Sequence, residues 1–453
     1  MKNTKLFFII LLAFLFRLIA LNQSLWLDEA ISAKVASKVP LAAIISRFSI
    51  HDFHPPLYYF FLRIWSLIFG ISEISLRMPS VIISLLTGYV VYKIVISISG
   101  KRNALWAALF FLFNPLIIYY SQEARMYMMA TFFLSVATYY LLKLLKSKKQ
   151  KSADILFFNI ATALSIFTFY GSVFMIAAFG LALILKKRIS IIPISFIGVV
   201  AALLILSPLL FMQYQNSQTL LSIAPNWRSL LGVANAKNLM LIPLKFATGR
   251  ISMEPKKVFF AVAGLWTLYV AVGVAVGSLK SRLFFTLLSV PLALGFIFSL
   301  FTPLLSYFRF LYLILSMSCL LALGVQVRFF RQILIGGFVT FSLIYLLGTV
   351  YHREDWKSLS TQLPASRPIY MISTSSDPIG YYRPDIVTID LRSIDQIKPT
   401  ASEIYIIPYT ADIYGYDFVH ALQAVSYKRV KVTSYRGLSV EVWSKSKPMA
   451  RQK

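Results

Sequence analysis

Residues 57–70 read LYYFFLRIWSLIFG. The stretch is apolar, but a helix that crosses a bilayer needs about 20 mostly apolar residues, and this one carries Arg63 in its middle. Whether it crosses sets the side of the membrane on which every later loop lies, so the fold turns on it. Apolar runs long enough or nearly long enough to cross lie at 5–22, 76–98, 104–120, 125–145, 153–170, 171–186, 190–211, 257–279, 283–300, 307–326 and 331–350. If 57–70 does not cross, the N-terminus, Lys101-Arg102, the run LKLLKSKKQK at 142–151, Lys186-Lys187-Arg188, Lys280 with Arg282, and Arg328 with Arg331 all fall on one side. Loops rich in Lys and Arg stay cytoplasmic. If the segment did cross, LKLLKSKKQK would lie outside. The reading is therefore a polytopic α-helical membrane protein of about 11 spans, N-terminus cytoplasmic, with 57–70 as a helix in the outer interface. The alternative is a twelfth, short span.

Composition supports this class. Of 453 residues, 58% are hydrophobic and 14% charged, and the mean hydropathy is +0.72. A soluble domain is about 45–50% apolar and about 25% charged, and disorder needs low hydrophobicity. Both are excluded. The net charge of +28 invites a nucleic-acid reading. However, residues 1–350 hold 31 Lys and Arg against 7 acids, and residues 351–453 hold 14 against 10. The excess thus sits in short loops among apolar spans, where it sets topology and meets anionic membrane lipids; no nucleic-acid partner is expected. The single cysteine, Cys319, excludes a disulfide framework and a cysteine metal site. No small-residue cleavage site follows the first apolar run, so it reads as a retained signal anchor.

In this topology the external side receives a first loop at 23–75, a turn at Ser121–Arg125, a loop at 212–256, a turn at Thr302–Ser306 and everything after 350. Six of the seven acids before 351 lie there or at its border, namely Asp28, Glu29, Asp52, Glu73, Glu123 and Glu254; Asp154 is cytoplasmic. From 351 the pattern changes. Short β-rich runs (PIYMIS, DIVTIDL, EIYIIPY, KRVKVTSY, LSVEVW) alternate with helix-like segments (WKSLSTQL, YDFVHALQAV), which predicts a small extracytoplasmic α/β domain at 351–453 after a membrane domain at 1–350.

Three clusters carry chemistry. Asp28 and Glu29 stand just beyond the first span in LWLDEA. A partly buried carboxylate there can act as a general base; as a plain helix-start acid it would only complement the helix dipole. His51, Asp52 and His54 precede a Pro pair in HDFHPPLYY, which holds the preceding residue extended. They can hold a metal or an anionic group, although the spacing matches no zinc signature. Glu123 and Arg125 sit in the turn YYSQEARMY, which ends in Tyr127. A guanidinium fork there suits a phosphate; an exposed pair would contribute little. Arg17, Arg77 and Arg309 also fall near the outer ends of spans, where they either snorkel to lipid headgroups or hold the phosphate of a lipid substrate.

In this order, LWLDEA at 25–30, HDFHPPLYY at 51–59, an FG-x-SE-x-x-LRMPS pattern at 69–80, an NP-x-x-x-YYSQEARMY pattern at 114–127 and YFRFLYLILS at 307–316 resemble the GT-C glycosyltransferases related to protein O-mannosyltransferases and to the aminoarabinose transferase of lipid A. YHREDWKSL at 351–359 resembles the junction to their external domain. The resemblance is dense over the first third and thinner over 300–360. It implies a plasma-membrane enzyme that takes a sugar from a polyprenyl-phosphate donor and passes it, with inversion, to an envelope glycan, lipid or protein on the external face. It also implies Asp28, Glu29 and Glu123 as catalytic residues, and His51, Asp52, His54, Arg77, Arg125, Tyr127 and Arg309 as substrate-binding ones. His54 stands where the lipid A enzyme has Lys, so acceptor contacts do not carry over. The 212–256 loop is too short for the protein-recognition domain of the O-mannosyltransferases. Some relatives use a divalent cation and others none, and no cofactor is assigned. The chemistry agrees with the resemblance: an oxocarbenium-like state needs a base beside the acceptor, and a phosphate leaving group needs cations. A flippase for a lipid-linked sugar and a sensor or scaffold are the other classes. The first calls for charges at mid-membrane and often an inverted repeat, and neither is seen.

Overall fold

A computed structural model describes residues 4–147, 149–227, 231–396 and 399–445. Among them six helical stretches are long and apolar enough to cross a membrane: Glu73–Leu112, which is two helices meeting at the non-helical Gly100, Tyr127–Lys146, Ile189–Ile223, Lys256–Lys280, Arg282–Ser299 and Arg328–Leu347. Thr4–Leu18, Ser152–Thr168, Ser172–Leu185 and Leu313–Gly324 are shorter apolar helices of the same bundle. The expected spans depart from the structure at four places. The first helix stops at Leu18 rather than 22. The expected span 104–120 is broken, because Pro115 lacks the N–H that would continue the ladder. The helix ends at Leu112, and Asn114 caps a new one, Pro115–Ser121, by accepting from Leu116 N and Ile117 N. The expected span 307–326 is a 3-10 turn, Tyr307–Phe310, followed by Leu313–Gly324. Finally, the expected loop from 212 starts as helix, because Ile197–Ile223 runs on past the apolar stretch.

Leu57–Phe69 is a 13-residue helix, about 20 Å long at 1.5 Å per residue. Its N-terminal approach meets the body of Ile197–Ile223, where Gln213 Nε2 donates to His54 O at 3.2 Å. Just past its C-terminus, Ile71 O accepts from Tyr381 of the C-terminal domain at 2.7 Å. Arg63 leaves the apolar surface by capping the Leu27–Lys38 helix at Ala36 O and Ser37 O.

The C-terminal domain is a five-stranded sheet: β1 (Ile369–Met371), β2 (Thr388–Asp390), β3 (Glu403–Ile406), β4 (Tyr427–Tyr435) and β5 (Leu438–Lys445), in the order β2-β1-β3-β5-β4. β1 is parallel to β2 and β3; β5 is antiparallel to β3 and β4. All five β-rich runs of the sequence are strands, and the two helix-like runs form Trp356–Thr361 and Phe418–Ala424. The domain is latched to the first loop: Leu25 N donates to Tyr382 Oη at 2.8 Å, Lys34 pairs with Asp377 at 2.7 Å, and Lys357 pairs with Glu73 at 3.1 Å.

Candidate active site

The Leu27–Lys38 helix begins against the bundle with Trp26 extended. Neighbouring residues on a helix point about 100° apart, and this sends Asp28 and Glu29 to different places. Glu29 turns inward and is fully buried. Its Oε1 accepts from Arg77 Nε at 2.8 Å and Ala124 N at 2.8 Å; its Oε2 accepts from Arg77 Nη2 at 2.6 Å and lies 3.4 Å from Arg353 Nε. Arg77 also donates to Leu21 O, Gln23 O and Ser24 O, so its guanidinium is saturated. Burial alone would raise the Glu29 carboxyl, but Arg77 and Arg353 outweigh it and hold it below the usual range. This pair binds Leu21–Ser24, the helix start and the 123–125 turn together, and presents nothing to a ligand.

Asp28 turns the other way. Its side chain is 33% exposed, and Arg125 Nη2 lies 3.6 Å from Oδ2. Arg125, itself almost wholly buried, also donates to Tyr59 Oη at 3.1 Å. Glu123, two residues back in the same turn, accepts from Trp26 Nε1 at 3.0 Å on Oε1, while its buried Oε2 has no hydrogen-bond partner. Burial pushes its carboxyl up to about 7, against the pull of Arg353, Arg250 and Arg125. A carboxyl near 7 exchanges a proton readily at neutral pH.

Two groups of side chains flank this centre. On one side Arg250 is exposed, donates to Tyr119 Oη at 3.0 Å and stacks over that ring at 4.9 Å. Arg353 stacks over the same ring at 4.5 Å and donates to Tyr345 Oη at 3.2 Å. Glu354, held by Tyr409 and Trp356, faces the same space. Arg250 is placed by the end of the Ala236–Thr248 helix: Gly249 has φ 72°, and a Cβ there would stand 3.0 Å from Pro115. A left-handed glycine thus turns the chain at the broken span. On the other side, His54 Nδ1 meets Asp52 Oδ1 at 3.2 Å. Burial would raise Asp52, but His54 and Arg125 together hold it below the usual range. Gln213 closes this side by donating to Ser49 O at 2.7 Å and accepting from Tyr170 Oη at 2.8 Å.

Of the residues singled out in the sequence, the structure gathers Asp28, Glu123, Arg125, Asp52 and His54 around one space, with Tyr127 on its aromatic wall against Tyr120 and Phe308. Arg309 is half-buried at its rim and spends Nη1 on Leu231 O and Pro303 O. His51 is exposed. Glu29 and Arg77 lie beneath, sealed. Arg17 is likewise sealed, on Ser84, Ala13 O and Leu112 O. Arg250 and Arg353 were not singled out; a glycine-ended helix before Arg250 and the junction motif around Arg353 were the available signals. In the C-terminal domain three tyrosines commit their hydroxyls within the protein: Tyr381 to Ile71 O, Tyr409 to Glu354 and Tyr414 to Thr374. Among the described residues no three His, Cys, Asp or Glu side chains gather to hold a metal ion.

Residues 53–211 match the family model of dolichyl-phosphate-mannose-protein mannosyltransferase. No curated protein sequence matches the chain. Among solved structures, ArnT from Cupriavidus metallidurans bound to undecaprenyl phosphate aligns over 98% of this chain and 98% of its own, at 13% identity and a TM-score of 0.50. The archaeal oligosaccharyltransferase AglB from Archaeoglobus fulgidus, in complex with an inhibitory peptide and a dolichol-phosphate, aligns over 99% of this chain and 75% of its own, at 11% identity and a TM-score of 0.51. Residues 53–211 thus resemble the protein mannosyltransferases, and the fold of the chain is similar to those of ArnT and AglB.

Proposed function

We propose that this protein transfers a glycosyl group from a polyprenyl-phosphate-linked donor to a hydroxyl of an envelope acceptor, at the external face of the plasma membrane and with inversion. The observation that carries the reading is the half-open Asp28 carboxylate, set 3.6 Å from the buried Arg125 between a cationic side and an acidic one. Asp28 is the base. As the acceptor oxygen bonds to the anomeric carbon, the bond from that carbon to the phosphate oxygen breaks. The acceptor proton passes to Asp28, and polyprenyl phosphate leaves with the bonding pair. Arg250, with Arg309 at the rim, holds the leaving phosphate. Tyr119, Tyr120 and Tyr127 wall the sugar, and Glu123 tunes the field between the two sides. Glu29 and Arg77 leave the reacting set assigned from sequence and act as positioning residues, because they are buried and saturated. Residues 1–350 would form the catalytic membrane part and 351–453 a cover for the site.

The test is mass spectrometry of envelope lipids, glycans and glycoproteins. A deletion strain complemented with wild type is compared with one carrying Asp28→Asn at matched membrane levels. Loss of one sugar mass from one class in the mutant is expected. Identical profiles, with a change caused by the deletion itself, would remove Asp28 from the chemistry.

A further inference from the structure

The two sides of the site carry opposite charge. Arg250 and Arg353 face one side, with Lys245 on the helix that delivers Arg250. Asp52 and Asp28 face the other, where the nearby cation, Arg125, donates to Tyr59 Oη and lies 3.6 Å from Asp28. A donor phosphate belongs with the first group. The second would repel a phosphate placed against it, and it offers hydrogen-bonding groups instead. His54 Nδ1 lies 3.2 Å from Asp52 Oδ1, so its other ring nitrogen, Nε2, is left for a hydrogen bond to a ligand hydroxyl. The His54 side chain is 24% exposed, so a hydroxyl can reach it.

Directly after His54 the chain changes character. Pro56, Leu57 and Phe60 form one wall of an apolar groove of about 350 Å³, closed by Phe167, Leu209 and Met212. Gln213, the next residue of the helix that supplies Leu209 and Met212, is tied to Ser49 O and His54 O. One helix therefore builds both the groove and the rear of the polar pocket. Such a pairing fits a molecule with hydroxyls at one end and hydrocarbon at the other.

We infer that the Asp52–His54 loop and this groove form the acceptor subsite, and that the acceptor is a lipid whose head group bears uncharged hydroxyls with no phosphate beside them. This rests on the transferase reading above. His54 Nε2 hydrogen-bonds to a head-group hydroxyl, Asp52 positions the imidazole, and the reacting hydroxyl gives its proton to Asp28 as the glycosidic bond forms and polyprenyl phosphate departs.

The full-length protein in liposomes is given polyprenyl-phosphate mannose, glucose or arabinose. Sugar release to water reads donor use alone. Transfer is then read with monogalactosyldiacylglycerol, phosphatidylinositol, methyl galactoside or a threonine-containing peptide. Transfer to monogalactosyldiacylglycerol at least tenfold faster than to the other three is expected. His54→Ala should lower transfer at least tenfold more than it lowers sugar release. Leu209→Trp, which fills the groove, should raise KM for the tailed acceptor and leave KM for the donor within about twofold. Equal or faster transfer to phosphatidylinositol, methyl galactoside or the peptide would overturn the inference, as would equal losses of transfer and release in His54→Ala. Release without transfer to any of the four also counts against it. Wild-type protein that cleaves no donor would instead sink the transferase reading itself.

Discussion

Adjacent carboxylates, about 100° apart around the helix, hold opposite positions here. Asp28 is open to the cavity, whereas Glu29 is sealed under it. Asp28→Asn should leave insertion intact and lower transfer about a hundredfold to ten-thousandfold, the range for loss of a positioned proton acceptor, measured as turnover per membrane-inserted protein. Glu123 gives a pH signature. Its carboxyl moves from an ordinary 4.5 to about 7 on folding because burial disfavours the charge. Between those values the folded protein binds more protons than the unfolded one, so stability falls as pH rises from about 4.5 to 7, and the full penalty is present above 7. Glu123→Gln keeps an acceptor for Trp26 Nε1 and removes the penalty. Its thermal midpoint in detergent should therefore rise relative to wild type above pH 7 and not at pH 5. A midpoint difference that does not change with pH would show that Glu123 is charged throughout. The residue types in these clusters were readable from the chain; the split in direction between neighbours was not, since it depends on where the bundle lies relative to the helix start.

Helices in this protein are broken where the site needs them broken. Asn114 and Pro115 end one span early and turn Tyr119 and Tyr120 toward the cavity. Gly249 ends another helix against that break and delivers Arg250. Elsewhere, helices approach until backbone touches backbone. A Cβ on Gly277 would lie 2.2 Å from Leu320 O, and one on Gly324 would lie 2.4 Å from Gly277 N. Membrane helices pack through such small residues because lipid gives no hydrophobic drive between them. Gly324→Val should therefore separate Lys256–Lys280 from Leu313–Gly324 and lower the thermal midpoint, whereas Gly336→Val, where open space surrounds the added carbon, should not. The Glu29–Arg77 pair ties three elements. Removing one partner leaves a buried charge, which costs about 3–5 kcal/mol. Arg77→Ala should lose stability on that scale in denaturant titration, while Glu29→Gln with Arg77→Met should lose less.

Across the whole molecule, the C-terminal domain completes the membrane part. Arg353 lies between Glu29 and Tyr119, its N donates to Gln23 Oε1 at 3.0 Å, and Arg436 reaches its carbonyl. The surface pairs Lys34–Asp377 and Lys357–Glu73 are partly exposed, and pairs of this kind contribute about 0–1 kcal/mol each. The latch therefore depends on Arg353. A chain ended after residue 351 should expose the Leu27–Lys38 helix to faster hydrogen exchange and lose transfer. Lys357→Ala should change neither measurably.

The amino-acid order alone determined that this is a multi-pass helical protein with an α/β tail. Runs of apolar residues, basic loops and alternating strands are local patterns, and a bilayer or a sheet reads them directly. It also marked the acids and bases at the loop borders. Only the tertiary structure decided which of them share a space. Arg250, Arg353, Asp28 and His54 come from segments separated by tens to hundreds of residues, and no local periodicity records their meeting. The same holds for Glu29 and Arg77, whose types suggested chemistry and whose burial, set by the packing of three elements, makes them a strut.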